Sequence, residues 1–450
     1  MNKPRLLWGD LRSSFWFMPS LMVMDSIIFA VVLIEVESAG LTQWQSQWPR
    51  LFGVGAEGAR QMLSTLAGSM MTVMGITFSM TLLALVLASG QYTSRVLRNF
   101  MRSRVTQATL GVFASIFAYY LIVLRTIRGN GGADEYVPNL AVFFAFVMAL
   151  GGVVVLIYFI HHIASSIQAS SIVASVGQET RASIDRLLPK QSIEGPVEDE
   201  GRKQVLESLD DRTWFPVPGA ESGYVMSVES SVLLHLAGEN RAVVRMEHGI
   251  GAFVVENTTL LSLALTYPPD QNLVDALNDA YTIGRHRTVD QDPAFGIRQI
   301  VDMAMKALSP GINDTSTAVI CVDYLSAILA RVVDRQFPPS HLYEGESLRV
   351  VAIVPSFEGL LAEAFDQIRR SAGDNVAILA RMLSALETIG SLTTNFSHIQ
   401  ALEEQLQCIA ELVDRCIVAS YDRTRLERRL AEVRKTLNAR CAVCAAENKG

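Results

Sequence analysis

Two groups of residues in this sequence have types and spacings that could do chemistry. The first lies in an apolar stretch. Thr65, Gly68, Ser69, Thr72, Gly75 and Ser79 recur at steps of three and four, so they share one face of a helix whose other faces are Leu, Met, Val and Phe. Such a stripe has two physical readings. Small residues let helix backbones approach closely, or hydroxyls line a hydrated path by standing in for an ion's water. Asp25 falls about ten residues into the preceding apolar stretch. A carboxylate at mid-membrane costs ~2.5–3.5 kcal/mol, so the sequence predicts that it faces the bundle interior and finds hydroxyls of the second stretch. It is either a structural acid or part of a proton or cation relay.

The second group surrounds a turn, Ser309-Pro-Gly-Ile-Asn-Asp314. Arg287 lies upstream, and Arg298, Asp302 and Lys306 follow at steps of four on one helix face. That spacing makes ion pairs, the plain explanation. Two others remain: a small anionic, phosphate-bearing ligand held by Arg287, Arg298 and the helix N-terminus after Asn313, or a divalent cation on Asp302, Asn313 and Asp314. Cys441-Ala-Val-Cys444 is a lone pair without histidines, so no metal site is expected there. No Walker A loop, Gly-x-Ser-x-Gly elbow or His-Glu-x-x-His helix occurs, which argues against the common hydrolases and against an enzyme. No motif specifies a cofactor.

The elements that must position these residues divide the chain in two. Of 450 residues, half are hydrophobic and only 18% charged, and the apolar excess is concentrated before about residue 165. A bilayer core of ~30 Å takes roughly 20 apolar helical residues. Four stretches qualify: Phe15–Ile34, Met62–Ser89, Val105–Leu124 and Val137–Ile163. The second runs longer than hydrocarbon requires. Lys3, Arg5, Arg12, Arg95, Arg98, Arg102 and Arg104 outnumber Arg50, Arg60, Arg125 and Arg128 across the short loops, which puts both termini in the cytoplasm. The fourth stretch has its own small-residue seam, Ala141, Ala145, Ala149 and Gly152. No cleavable signal is evident. The net charge of −7 is too mild to imply a nucleic-acid partner. Five cysteines without a regular framework suit a reducing compartment.

Beyond the fourth stretch the helix is expected to continue to Leu188, where Pro189 stops it. Residues 166–219 read as this helical extension and a polar linker. Residues 220–266 read as a small β-rich module, with strands at Tyr224–Val228, Ala242–Met246 and Ala252–Val255 around a short helix. Residues 267–450 read as helical: Leu273–Ile283, Phe295–Leu308, Thr315–Val333, one strand at 348–354, then three long helices. In the last of these, Leu426, Leu430, Val433 and Leu437 form a stripe that wants a partner helix, in cis or in another subunit.

Several long motifs point to a family. They are Ser14-Phe-Trp-Phe-Met-Pro-Ser-Leu-Met, Arg98-Asn-Phe-Met-Arg-Ser-Arg-Val-Thr-Gln, Ile157-Tyr-Phe-Ile-His-His and Asp292-Pro-Ala-Phe-Gly-Ile-Arg-Gln-Ile-Val-Asp302 with Ala307-Leu-Ser-Pro-Gly-Ile-Asn-Asp314. Together they resemble the signature of a bacterial inner-membrane family catalogued as domain of unknown function 2254. The resemblance covers nearly the whole chain. It implies a bacterial inner-membrane location and supplies no activity; Asp25 is not part of the shared pattern.

The sequence therefore predicts an α-helical polytopic membrane domain of four spans (1–165) and a cytoplasmic α+β part, mostly helical with a small β-rich module. Two functions compete. One is a homo-oligomeric ion channel or permeation pathway, with the polar second span as its lining and the cytoplasmic part as gate or vestibule. The other is a membrane-anchored sensor or scaffold whose cytoplasmic part binds a ligand or protein.

Overall fold

The computed structural model describes residues 16–39, 55–91, 104–129, 136–166, 168–190 and 212–447. The charges at Lys3, Arg5, Arg12, Arg50, Arg95, Arg98 and Arg102, and the linker 191–211, lie outside the described residues. The chain divides into two compact units, Met1–Ile172 and Val173–Gly450.

The first unit holds α1 (Phe17–Ser38), α2 (Ala56–Gln91), α3 (Arg104–Thr126) and α4 (Asn139–Ser166). Pro19 is tolerated in the first turn of α1, where its missing N–H has no intrahelical partner to lose. The centre of this unit is α3. Over its most apolar window 56% is buried, against 11% for α1. Helices α1 and α2 each pack on α3 and α4, with at most marginal contact between themselves. Tyr119 and Tyr120 of α3 are fully buried and donate to the carbonyls of Ala141 (2.9 Å) and Ala145 (3.0 Å). The small seam of α4 thus does what its residue types suggest: it lets α3 come close enough to reach the α4 backbone. Gly111 plays the same part toward α1, since a Cβ there would lie 2.6 Å from Met22 Sδ and 3.2 Å from Pro19 Cα. Glu37 accepts from Leu140 N (3.0 Å) and so caps the first turn of α4.

The second unit begins with α5 (through Leu187; the helix starts at Ala169). The expected continuous helix is two helices, ending at Ser166 and restarting at Ala169. Next come β1 (Trp214–Pro218), β2 (Gly223–Val228), α6 (Ser230–Glu239), β3 (Val243–Met246), β4 (Phe253–Val254), β5 (Thr259–Ala264), α7 (Gln271–Asp279) and β6 (Tyr281–Gly284). They are followed by α8 (Pro293–Ala307), α9 (Thr315–Val332), β7 (His341–Glu344) and β8 (Ser347–Val351). Four helices complete the unit: α10 (Phe357–Ala372), α11 (Val376–Leu392), α12 (Phe396–Cys416) and α13 (Ser420–Glu447).

The strands form a five-stranded sheet of order β1-β5-β3-β8-β7 and a three-stranded sheet of order β4-β2-β6. Among the described strands only β3 and β8 pair in parallel; the other pairs are antiparallel. The first sheet therefore draws strands from both 220–266 and 267–450, so these segments share a sheet. Four strands depart from the expected pattern. β1 falls in the supposed linker, β5 and β7 were not anticipated, and β6 replaces the end of the helix expected to reach Ile283. There, Tyr281, Thr282 and Ile283 are aromatic and β-branched and pair with β2. Four helices, not three, follow β8. Gly373 takes a left-handed φ of 55° that ends α10, and Asn375 and Asn395 cap the next two. The Leu426, Leu430, Val433 and Leu437 stripe is buried, and α13 packs on α11 and α12. Its partner is in cis.

Among the described residues, five helices are long and apolar enough to cross a membrane by length and composition: α1, α2, α3, α4 and α9. Four were expected. The fifth, α9, belongs to the second unit.

Candidate functional site

Thr65, Gly68, Ser69, Thr72, Gly75 and Ser79 are all exposed on α2. The face of α2 that packs carries Ala56, Ala59, Leu63, Ala67 and Met70 instead. A Cβ added at Gly68 or Gly75 would meet nothing within 4 Å. Among the described residues, therefore, the stripe is no packing seam. Its hydroxyls are oriented by their own helix: Thr65 Oγ1 donates to the Gln61 carbonyl (2.8 Å), Ser69 Oγ to Thr65 (2.8 Å) and Thr72 Oγ1 to Gly68 (3.0 Å). With these three hydrogens spent on backbone, the oxygens of Thr65, Ser69 and Thr72 offer only acceptor lone pairs outward.

Asp25 overturns the expectation that it faces the bundle interior. It is exposed on α1, and no described residue bonds to it. The polar residue that α1 turns inward is its neighbour Ser26, whose Oγ donates to the Ser115 carbonyl at 2.7 Å. One residue along a helix is about 100°, so burying Ser26 and Ala30 sends Asp25 outward.

In the second unit the structure does not gather the five candidate ligands. Arg287 pairs with Asp292, its Nε 2.8 Å and its second guanidinium nitrogen 2.7 Å from Oδ2. The other oxygen of Asp292 accepts from Phe295 N at 3.1 Å and caps α8. Burial pushes the Asp292 carboxyl above its ordinary range, opposed by the Arg287 guanidinium and the Phe295 N–H. Gly251, at φ 86°, lets a turn close over this pair; a Cβ there would sit 2.6 Å from Asp292 Oδ2. Arg298 is divided between Asp302 (3.2 Å) and Glu363 of α10 (3.1 Å).

Asn313 and Asp314 lie past the far end of α8, a helix about 22 Å long. Asn313 is exposed and holds the turn with a φ of 48°. Asp314 caps α9, accepting from Thr317 N (3.0 Å) and Thr317 Oγ1 (2.6 Å), and those bonds hold its carboxyl below the usual range. A cation on Asp302, Asn313 and Asp314 together is not supported, because Asp302 answers Arg298 and Asp314 answers its helix. The plain ion-pair and capping explanation accounts for this group.

Sequence reasoning missed an open groove of about 530 Å³ between α5 and α9, lined by Gln178, Arg181, Ala182, Asp185, Ala327, Ala330 and Arg331. Asp185 accepts from Arg331 Nε (2.7 Å) and its second nitrogen (3.0 Å), and also from the buried Arg335. These hydrogen bonds and charges hold the Asp185 carboxyl low. The partners are about 150 residues apart in sequence, so no local spacing announces them.

A family model described as a predicted membrane protein, domain of unknown function 2254, matches residues 12–388. Two relatives described as uncharacterised proteins, one of Mycobacterium tuberculosis and one of Mycobacterium bovis, are each 28% identical over 433 residues. The match covers 94% of this chain and 80% of theirs. No solved structure matches the chain.

Proposed function

The chain belongs to the family of predicted membrane proteins catalogued as domain of unknown function 2254, and from that premise we propose that it is a bacterial inner-membrane permeation pathway built from several copies. In this reading α1 to α4 span the bilayer, both termini are cytoplasmic, the second unit is a vestibule or gate, and no catalytic step is involved. The loop charges in the sequence support the orientation.

Helix α9 is read as a core helix. Its Asp323 pairs with Arg381, and its Arg331 with Asp185, charges that a lipid-facing span would not carry. Its apolar residues Ala318, Cys321, Val322, Leu325 and Leu329 are buried inside the second unit.

The observation that carries the proposal is the uncovered hydroxyl face of α2. The interior of the four-helix unit is filled by Phe113, Tyr119, Tyr120 and Val123, so among the described residues one copy offers no path through itself. A path has to run along an outer face that other copies enclose. Acceptor oxygens suit cations rather than anions. Planar-bilayer recording of the purified full chain tests the reading. Cation current is expected, with smaller unitary conductance after Thr72→Val; silence under every ionic condition overturns it.

The groove between α5 and α9 favours a second reading, an anchored sensor for a small anion held by Arg181 and Arg331. Thermal shift of the full chain with inorganic phosphate and nucleotides tests that one, and no shift at millimolar concentrations removes it.

A further inference from the structure

We propose that the outward face of α1 around Asp25 docks on the hydroxyl face of α2 in a neighbouring copy of this chain, with Asp25 opposite Ser69 and Thr72. The inference rests on the reading of α2's outer face as the seam of a homo-oligomer, and it identifies what lies across that seam.

Three observations carry it. First, both faces are polar and exposed, and no other described element covers them: Asp25 on α1, and Thr65, Ser69 and Thr72 on α2. A carboxyl group in hydrocarbon needs an acceptor for its O–H or a partner for its charge. Thr65, Ser69 and Thr72 offer acceptors only, because their hydroxyl hydrogens are already given to the carbonyls one turn back. Donor and acceptor are therefore complementary across the two faces.

Second, the faces belong to different flanks of one body. Helices α1 and α2 each pack on α3 and α4 and barely touch one another. A contact between the α1 flank of one copy and the α2 flank of the next is heterologous, the kind that closes into rings.

Third, the depths agree. Copies related by an axis along the membrane normal keep every residue at its own depth, so Asp25 can meet only residues at its level. Ser26 donates to the Ser115 carbonyl at 2.7 Å, which sets α1 against α3 at that level. At Gly152 a Cβ would lie 3.3 Å from Ile116 Cδ1 and 3.6 Å from Met70 Sδ, which sets α3, α4 and α2 at the adjoining level. Ser115 and Ile116 are consecutive, so Asp25 and Met70 lie within about one helical turn in depth. Ser69 and Thr72 flank Met70 in sequence and are exposed.

The test is disulfide trapping in native membranes. Two differently tagged full-length chains, with the five native cysteines replaced, are co-expressed: one carries Asp25→Cys, the other Ser69→Cys, Thr72→Cys or Leu150→Cys. Leu150 is exposed on α4 at a similar depth and serves as the control. Copper phenanthroline should join Asp25→Cys to Thr72→Cys or Ser69→Cys as a mixed-tag dimer, at least tenfold above the Leu150→Cys pair. Oligomeric mass is measured in parallel in nanodiscs on the chain with its native cysteines, where Thr72→Trp should dissociate the assembly and Leu150→Trp should not. An oligomer that shows no preference for Ser69 or Thr72 and survives Thr72→Trp overturns this contact and leaves the pathway reading standing. A strictly monomeric chain overturns both. Trapping at Thr72 without current in bilayers supports the contact and removes the pathway.

Discussion

Gly296 offers the sharpest test of how the second unit is assembled. It sits in the first half of α8, where a glycine normally weakens a helix, and replacing it by alanine in open space gains ~0.5–1 kcal/mol. Space is what it lacks. A Cβ at Gly296 would land within the shell of Thr180 Oγ1 and 2.9 Å from Thr180 Cβ and Cγ2. Thr180 is itself fully buried and anchored to the Val176 carbonyl at 2.7 Å, so it has nowhere to turn. Overpacking of this kind costs ~1–3 kcal/mol. With contact on three atoms the upper end applies, and subtracting the helix gain leaves a net loss of about 2 kcal/mol. For a unit of this size that is a fall in Tm of about 4–8 °C. Calorimetry of the full chain in detergent measures it. The swap variant Thr180→Gly with Gly296→Ala moves the glycine to the other side of the contact. It should recover at least ~1 kcal/mol relative to the sum of the single changes. If Gly296→Ala alone raises Tm, or if the two changes simply add, α5 does not approach α8 at this point and the reasoning fails.

The remaining predictions concern the caps. Asp292→Ala leaves the Arg287 guanidinium without its carboxylate and Phe295 N without its cap; a loss of ~3 kcal/mol is expected in the same calorimetric assay, and a loss below 1 kcal/mol would show that the pair contributes little. At Asp314 the folded carboxyl is held below its ordinary 3.8 by Thr317, so its stabilisation is present above that pH and lost as pH falls through the lowered value. Asp314→Ala should therefore cost ~0.5–2 kcal/mol at pH 7 and progressively less below pH 3.8, and an equal cost at both pH values would contradict the assignment.

What could be read in the sequence was what depends on local period and on single punctuating residues. The four long apolar stretches match α1 to α4, the α8–turn–α9 segment falls within two residues of its expected bounds, and Ala141 and Ala145 pack as a small-residue seam should. What could not be read depended on pairing across the chain. β8 joins β3 in parallel across about a hundred residues, and nothing in Leu348–Val354 says which strand it will meet. Arg335 reaches Asp185 across 150 residues. The azimuth of Asp25 departs from expectation for a different reason. Cost in hydrocarbon argues that a carboxyl must be satisfied, but it does not say by which chain, and the one-residue difference between Asp25 and Ser26 reverses the answer.

Both units bury apolar cores, but they differ in what they turn outward, and that contrast bears on which faces are wet. In α3, the central helix of the first unit, the buried positions include Thr106, Gln107, Thr109 and Ser115, while the more apolar α4 turns Phe146, Val147, Leu150, Val153, Val154 and Ile157 outward. In α9 the outward face is different: Val322, Leu325 and Leu329 are inside, and Arg331 is outside. Lipid removes the penalty for outward apolar groups and water restores it, so each unit matches the solvent proposed for it. Against that background α2 is the exception. If it faced lipid all along its outer side it should read like α4, with bulky aliphatic residues outward. It does so at Met71, Ile76, Leu82, Leu83 and Val86. It does not at Thr65, Gly68, Ser69, Thr72 and Gly75, where the exposed residues are small and hydroxylated. A face that breaks the rule its neighbours obey, at the depth where α1 breaks the same rule with Asp25, is best accounted for by something other than lipid against it, and a second copy brings the complementary group at the matching level.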